Sequence, residues 1–301
     1  MLTDILSIRP QRNRHAIFIS AGDRESFASL ALERLSRDFD VLIFQYGSDV
    51  EARAKYLERA DLVATGRGTK FSNLQDIFRT APAAIERYST IWVCDDDLEP
   101  EWGDLRLLPA ICEDFHLKVV SPAHSRKGKI SYDFMTPKIG THLFRYVTYV
   151  EMGCPLFPTK DLTSFLNQYE PTQGGFGDDW WYLNVFNADK VKCAAIVDAV
   201  TMVNPHDAKK SGGYREVELL GKIADHRASW REARELHHLR EWDRKNLGLI
   251  AAGDIPPGSP TAEIFRQDYK SRLSMLCSEL NYQLRFYKVR KNIQKRFFKN
   301  D

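Results

Sequence analysis

Ile91-Trp92-Val93-Cys94-Asp95-Asp96-Asp97-Leu98 runs an apolar segment straight into three carboxylates. A short apolar run bounded in this way predicts a strand buried inside a sheet. Three adjacent acids do not belong in a core, because removing unpaired charge from water is costly. A divalent cation, which prefers hard oxygen ligands, is the economical partner for them. In open α/β sheets, ligands gather outside the carboxyl ends of the strands. The stretch therefore points to a sheet, a metal and a site at one sheet edge. The plain alternative is a loop of solvated acids after a strand.

Upstream, His15 to Ser20 and Val41 to Tyr46 predict two further strands, and Ala60 to Ala64 a short third. Between the first two, Ser26 to Arg37 predicts a helix, with Leu30, Leu32 and Leu35 among polar residues and Ser26 as cap. This alternation predicts βαβ units and a largely parallel sheet. Gly22 and Asp23 close the first strand, where small residues let a backbone or ligand come close. Gly66-Arg67-Gly68-Thr69-Lys70 leads into a helix near residues 73–85. Glycines, a lysine and a helix N-terminus suit a phosphate or carboxylate, although the spacing is not that of a P-loop. An ordinary turn accounts for them as well.

Downstream, Glu99-Pro100-Glu101-Trp102 reads as the start of a short helix reaching about Glu113. Lys118 to Ser121 predicts a strand ended by Pro122, and residues 124–140 a polar loop or hairpin. Arg145 to Met152 has the β-branched and aromatic residues of a strand, with Glu151 near its end. Leu162 to Tyr169 predicts a helix. Gln173 to Tyr182 then holds Gly174, Gly175, Gly177, Asp178, Asp179, Trp180 and Trp181. Glycines allow close approach, the acids supply bases, and the aromatics offer a face on which sugar rings stack. The alternative is a glycine turn before a helix whose tryptophans are core. Val191 to Val203 predicts one long strand or a pair, followed by His206, Lys209 and Lys210. A histidine there can serve a metal, and the lysines phosphate oxygens.

The chain has 301 residues, 43% hydrophobic and 28% charged, with a net charge of +2. That is the composition of a globular protein with one large or two modest domains. Its five cysteines are scattered and never at metal-ligand spacing, which predicts reduced, mostly buried thiols. Residues 1–10 lack the apolar core of a signal peptide, and no run approaches the ~20 residues of a membrane span. The expectation is a cytoplasmic chain, soluble or peripheral on the inner face of a membrane.

From Tyr214 the sequence becomes charged and helical to about Leu247, with His226, His237 and His238 read as surface residues. A turn at residues 253–260 precedes a final helix over 261–298. Residues 285–300 carry Arg285, Lys288, Arg290, Lys291, Lys295, Arg296 and Lys299, no acid, and four interleaved aromatics. Such a helix suits an anionic membrane surface, or it is a solvated tail. No motif supports nucleic acid as a partner.

Several stretches, taken in order, resemble a family of plant and bacterial glycosyltransferase-like proteins whose plant members carry a lysine-ketoglutarate reductase trans-splicing label. They are residues 69–71, 92–98, 121–123, 150–157, 177–179, and Ile196-Val197-Asp198 leading to His206. The resemblance covers about two-thirds of the chain. It implies a GT-A-like, Rossmann-type mixed central sheet flanked by helices, with a C-terminal helical extension. Residues 1–213 would form the catalytic domain, with a nucleotide-sugar half to about 120 and an acceptor half after it, and 214–301 the extension. It further implies that an Asp-x-Asp motif binds Mn²⁺ or Mg²⁺ and a nucleotide-sugar donor. Asp95 and Asp97 fit that motif, Asp95 and Asp96 would also face the donor, and His206 would complete the metal shell. The departures are an aspartate rather than glutamate at position 96, an unmatched region after the acidic strand, and the uncovered C-terminal helices.

These readings together predict metal-dependent transfer of a sugar to a glycan or lipid-linked acceptor, as in surface polysaccharide synthesis. Gly22, Asp23, Lys70 and Lys210 would contact the nucleotide and its phosphates. Asp178 or Asp179 would be the general base, with Asp178 favoured by its place in the glycine turn. A metal-dependent nucleotidyl- or phosphotransferase would use the same acids and lysines, and a non-catalytic sugar-binding protein is the third reading.

Overall fold

The computed structural model describes residues 4–22, 27–138, 142–206 and 222–268. Asp23, Lys209, Lys210, Cys277 and the basic segment 285–300 lie outside them. Among the described residues, no helix is long and apolar enough to cross a membrane.

The centre is one mixed sheet of eleven strands. The first half has the parallel strands its sequence pattern predicts, while the helix over 50–59 is not foreseen and the one expected near 73–85 is two. Strand β2 (His15–Ala21) pairs in parallel with β3 (Asp40–Gln45) and with β5 (Thr90–Asp95), and β3 pairs in parallel with β4 (Leu62–Thr65). Helices α1 (Phe27–Leu30, continued as a wider turn to Leu35), α2 (Val50–Arg59), α3 (Lys70–Thr80) and α4 (Pro82–Glu86) are the crossovers. Asp49 caps α2 by accepting the backbone N–H groups of Glu51 and Ala52. Strand β1 (Asp4–Ile8), unforeseen in the sequence, adds antiparallel to β4 as an edge.

The chain leaves β2 outward through β3 and β4, then returns to place β5 on the other side of β2. The strand order therefore reverses between β2 and β5, and at their carboxyl ends a doubly wound sheet opens a crevice. Asp95 is the last residue of β5.

The second half departs from expectation in four places. Glu99–Trp102 is not a helix start but strand β6, antiparallel to β10 (Ala194–Val203). A proline fits there because it needs no ladder hydrogen bond on an edge. Pro122 does not end its strand either, since β7 spans Val119–His124. Strand β9 (Leu156–Pro158) pairs with β7 only at Val120, so position 122 lies past that pairing. The strand expected over 145–152 is β8 (His142–Val147), which leaves Tyr149 and Glu151 in the connection to β9. Residues 214–247 are not simply helical. After α8 (Ile223–Leu236), β11 (Asn246–Ala251) joins the sheet antiparallel to β8.

Because β9 runs antiparallel to both β5 and β7, and β10 parallel to β7, strands β2 to β5, β7 and β10 all point the same way. Gly22, Asp95, His124 and the end of β10 thus share one sheet edge.

Successive strand residues feed opposite faces, which explains the unbroken apolar runs. Phe18 and Val93 pack with Phe71, Leu74, Phe165, Tyr182 and Trp230, under α3, α6 (Thr159–Gln168), α7 (Asp178–Phe186) and α8. Ile17, Ile19, Trp92 and Cys94 pack with Phe27, Tyr56, Leu107, Ile111 and Ala262, under α1, α2, α5 (Leu107–Asp114) and α9 (Pro260–Gln267). Cys94, Cys112, Cys154 and Cys193 are buried free thiols.

One charged pair lies inside this core. Arg145, fully buried on β8, grips Asp198 of β10 through Nε and Nη2 at 2.9 to 3.2 Å. Its remaining N–H groups donate to the Phe134 and Thr136 carbonyls and to Asn246. The guanidinium is fully used, so the pair anchors the 133–138 loop to the sheet.

Candidate active site

The three strand-end acids separate into different roles. Asp95 receives the Lys70 ammonium on Oδ1 at 2.7 Å. Its side chain is 42% exposed, whereas that of Lys70 is 5% exposed. Lys70 opens α3 and also donates to the carbonyls of Met152 and Gly153. The loop before α3 therefore directs its lysine inward onto the acidic strand. Asp96 turns to the end of β2 and the start of α1. Its Oδ2 accepts the Gly22 N–H at 2.9 Å and the Tyr46 hydroxyl at 3.2 Å, and its carbonyl accepts the Phe27 N–H. Burial lifts Asp96 to about 6, opposed by the Gly22 hydrogen bond and reinforced by Asp97 and Asp95. Asp97 is half-buried beside them.

The second group of acids sits at the N-terminus of α7. Gly177 precedes that helix at φ +89°, in the left-handed region, and a Cβ there would lie 2.2 Å from the Trp230 ring. The glycine turn is thus closed from above by α8. Asp178 is completely buried and accepts the Tyr169 hydroxyl at 2.8 Å. Burial pushes its pKa well up. Asp179 keeps 8% exposure and accepts the Tyr149 hydroxyl and the Trp180 N–H. Burial raises it to about 6 against these two hydrogen bonds. Glu151 adds to the rise and Arg244 opposes it.

Glu151 connects the two groups electrostatically. Burial raises its pKa, a hydrogen bond from Ser131 lowers it, Asp95 adds to the rise, and Lys70 and Arg244 oppose it. Lys70 also acts on Asp178. Arg244 comes from the segment between α8 and β11. Its guanidinium lies 3.9 Å from the ring centre of Tyr132, 4.4 Å from Tyr149 and 5.4 Å from Trp180. Such stacking holds a cation firmly beside carboxylates.

The structure thus brings Lys70, Asp95, Glu151, Asp178 and Asp179 into one electrostatically linked patch, with Gly22 and Asp96 adjoining it. His206 is exposed, three residues past β10 on the same sheet edge. The side chains of Asp95 and Asp97 are of the type that suits Mn²⁺ or Mg²⁺. Yet among the described residues no three His, Cys, Asp or Glu side chains gather at a metal position. The predicted shell of Asp95, Asp97 and His206 is therefore not assembled there, and Asp95 carries an ammonium on one oxygen. The predicted aromatic face is also corrected. Trp180, Trp181 and Tyr182 are 7%, 2% and 0% exposed and belong to the core, packed against Trp242, against Tyr169 and His237, and against Phe157 respectively. His226, read as a surface residue, is likewise 4% exposed, packed over Gly174.

Sequence reasoning missed Tyr46, His124, Tyr149 and Arg244. Only Tyr149 carried a signal, through its proximity to Glu151 in the chain.

No protein-family model matches the chain, and no curated protein matches it in sequence. Solved structures resemble it in shape. Over 62% of this chain and 60% of the other, it is similar to residues 1–349 of Staphylococcus aureus TarS, with 13% identity and a TM-score of 0.46. The match to GalNAc-T7, crystallised with UDP, GalNAc and Mn²⁺, covers 75% of this chain and 55% of that one, at 9% identity and a TM-score of 0.41. A197 from STIV matches over 63% and 84% of the two chains, at 11% identity and a TM-score of 0.38. The chain spans little more than half of TarS 1–349 and of GalNAc-T7. At TM-scores below 0.5 these likenesses decide nothing further about it.

Proposed function

We propose that this chain is a glycosyltransferase of GT-A-like architecture that takes its sugar from a nucleotide-sugar donor. The observation that carries the reading is the joining of two carboxylate groups at one sheet edge. Asp95 to Asp97 lie where the strand order reverses, and Asp179 belongs to the same patch. Nucleotides bind at such reversal points. Gly22 follows β2 there, its N–H held by Asp96. The leaving diphosphate would lie by the N-terminus of α3, where Lys70 adds positive charge.

Asp179 is the better base of the two aspartates. It retains some exposure, and its pKa of about 6 is closer to working pH than that of an ordinary aspartate. A base matched in this way contributes a factor of roughly 10² to 10⁴. Asp178, fully enclosed and with its pKa pushed up by burial, shapes the turn through Tyr169. In the reaction an acceptor hydroxyl attacks the anomeric carbon and its proton passes to Asp179. The bond from that carbon to the phosphate oxygen breaks, and the electron pair leaves with the nucleoside diphosphate. Direct displacement of this kind inverts the anomeric centre.

The test is to incubate the full chain with UDP-, GDP- and CMP-sugars, with and without Mn²⁺, and to identify the released nucleotide. A nucleoside diphosphate (or CMP, from a CMP-sugar) that disappears in Asp179→Asn supports the reading. Pyrophosphate release identifies a nucleotidyltransferase instead. Binding without turnover identifies a sugar-binding protein.

A further inference from the structure

Several buried polar atoms around the acidic patch lack a hydrogen-bond partner in the protein, Asp178 Oδ2 and Arg244 Nε among them, and three belong to one touching pair of side chains: both ring nitrogens of His124 and Oε2 of Glu151. His124 ends β7 and is 3% exposed. Its Nδ1 lies 3.4 Å from Glu151 Oε2, without hydrogen-bond geometry. The contact is not an ion pair, because burial drives the imidazole pKa down to about 4 and leaves the ring neutral at pH 7. A neutral ring offers one N–H donor and one bare lone pair. Buried donors and acceptors in native proteins are nearly always satisfied by protein, water or ligand, so three such atoms together mark a place for a polar guest.

The chemistry of that ligand follows from its surroundings. A carboxylate or phosphate would face Glu151 with Asp95 close by. An ammonium would satisfy Glu151 but not the histidine donor. A hydroxyl both donates and accepts, and two adjacent hydroxyls can engage the ring and the carboxylate together. The position agrees. Glu151 lies in the chain between Tyr149, whose hydroxyl donates to Asp179, and Met152 and Gly153, whose carbonyls accept the Lys70 ammonium that also holds Asp95. A sugar undergoing in-line displacement must lie between those two acids.

We propose that His124 and Glu151 form a pair that reads adjacent hydroxyls on the transferred sugar and so sets donor specificity. This rests on the glycosyl-transfer reading above and deepens it. A site built to hydrogen-bond a hydroxyl rejects an analogue that lacks it, because its own buried groups are then left unpaired.

The experiment is calorimetric titration of the full chain with nucleoside diphosphates and CMP, with their sugar conjugates, and with epimeric and deoxy forms of the best conjugate. The wild type should bind one conjugate about tenfold or more tighter than an epimer or deoxy analogue. In His124→Ala that preference should fall to about twofold, while the nucleotide alone binds as before. Glu151→Gln, a near-isosteric change that protects the fold, should reduce the preference in the same way. An unchanged epimer preference in both variants overturns the hydroxyl pair and leaves glycosyl transfer standing, as does equal weakening of nucleotide and conjugate. Failure of the wild type to bind any nucleotide sugar overturns both.

Discussion

Asp179→Asn should make the protein more stable while slowing turnover by a factor of roughly 10² to 10⁴. Burial lifts the Asp179 carboxyl from 3.8 to about 6. Between those values the native state holds the proton more tightly than the unfolded chain does. Stability therefore falls as pH rises through that window, and above pH 6 the ionised native carboxylate carries the full cost. At 1.36 kcal/mol per pH unit the cost is about 3 kcal/mol. With 8% exposure, the site gives little solvent screening to reduce it. Asparagine never ionises, so it escapes this cost. It keeps one carbonyl oxygen where the carboxylate used two, one for the Tyr149 hydroxyl and one for the Trp180 N–H. Losing one such bond costs about 1 kcal/mol. The net expectation is a gain of roughly 2 kcal/mol at pH 8, shrinking as pH falls toward 5. Urea unfolding followed by tryptophan fluorescence at pH 5, 6, 7 and 8 measures it, and released nucleotide measures turnover on the same samples. A variant less stable than wild type at pH 8, or a difference flat from pH 5 to 8, would refute the reasoning.

Other changes probe the supports of the site. Gly177→Ala forces a Cβ onto the Trp230 ring at a positive φ. It should lose roughly 3 kcal/mol from left-handed strain and displaced packing, read by thermal unfolding. Arg145→Ala leaves Asp198 buried without its cation and should cost about 3–5 kcal/mol. Adding Asp198→Leu should recover only part of that loss, since the Phe134 and Thr136 carbonyls still lack their donor. Arg244→Gln removes a charge that lowers the Asp179 pKa. The acid limb of the kcat/KM profile should therefore move to higher pH, and an unmoved limb would remove Arg244 from the base's environment. Lys70→Met should weaken nucleotide binding and lower stability together, because it strips Asp95 and two carbonyls of their shared donor.

What was legible in the sequence and what was not divides on the range of the interactions. The β2–α1–β3 unit and the run into Asp95 were readable because strands buried on both faces announce themselves as continuous apolar runs. Asp178 and Asp179 were readable as charge set in a glycine turn. The misreadings came where a distant segment changed the meaning of a local pattern. Trp180 and Trp181 look like an exposed platform until Trp242 and His237, far along the chain, pack against them. Pro122 looks like a strand end until the single pairing of Val120 with Leu156 shows that β9 has already stopped.

The same reasoning explains why the residues that tune the site were silent. Arg244 stands in a charged stretch, Trp242-Asp243-Arg244-Lys245, where nothing separates it from its solvated neighbours. It becomes distinct only when β11 pairs with β8 and brings its guanidinium over Tyr132 and Tyr149. His124 gains its meaning from burial at the end of a parallel strand, which keeps its imidazole neutral down to about pH 4. Both depend on pairings spanning from about thirty to a hundred residues. The acids that could perform the chemistry are encoded in short motifs, whereas the groups that set their protonation are supplied by the sheet's closure.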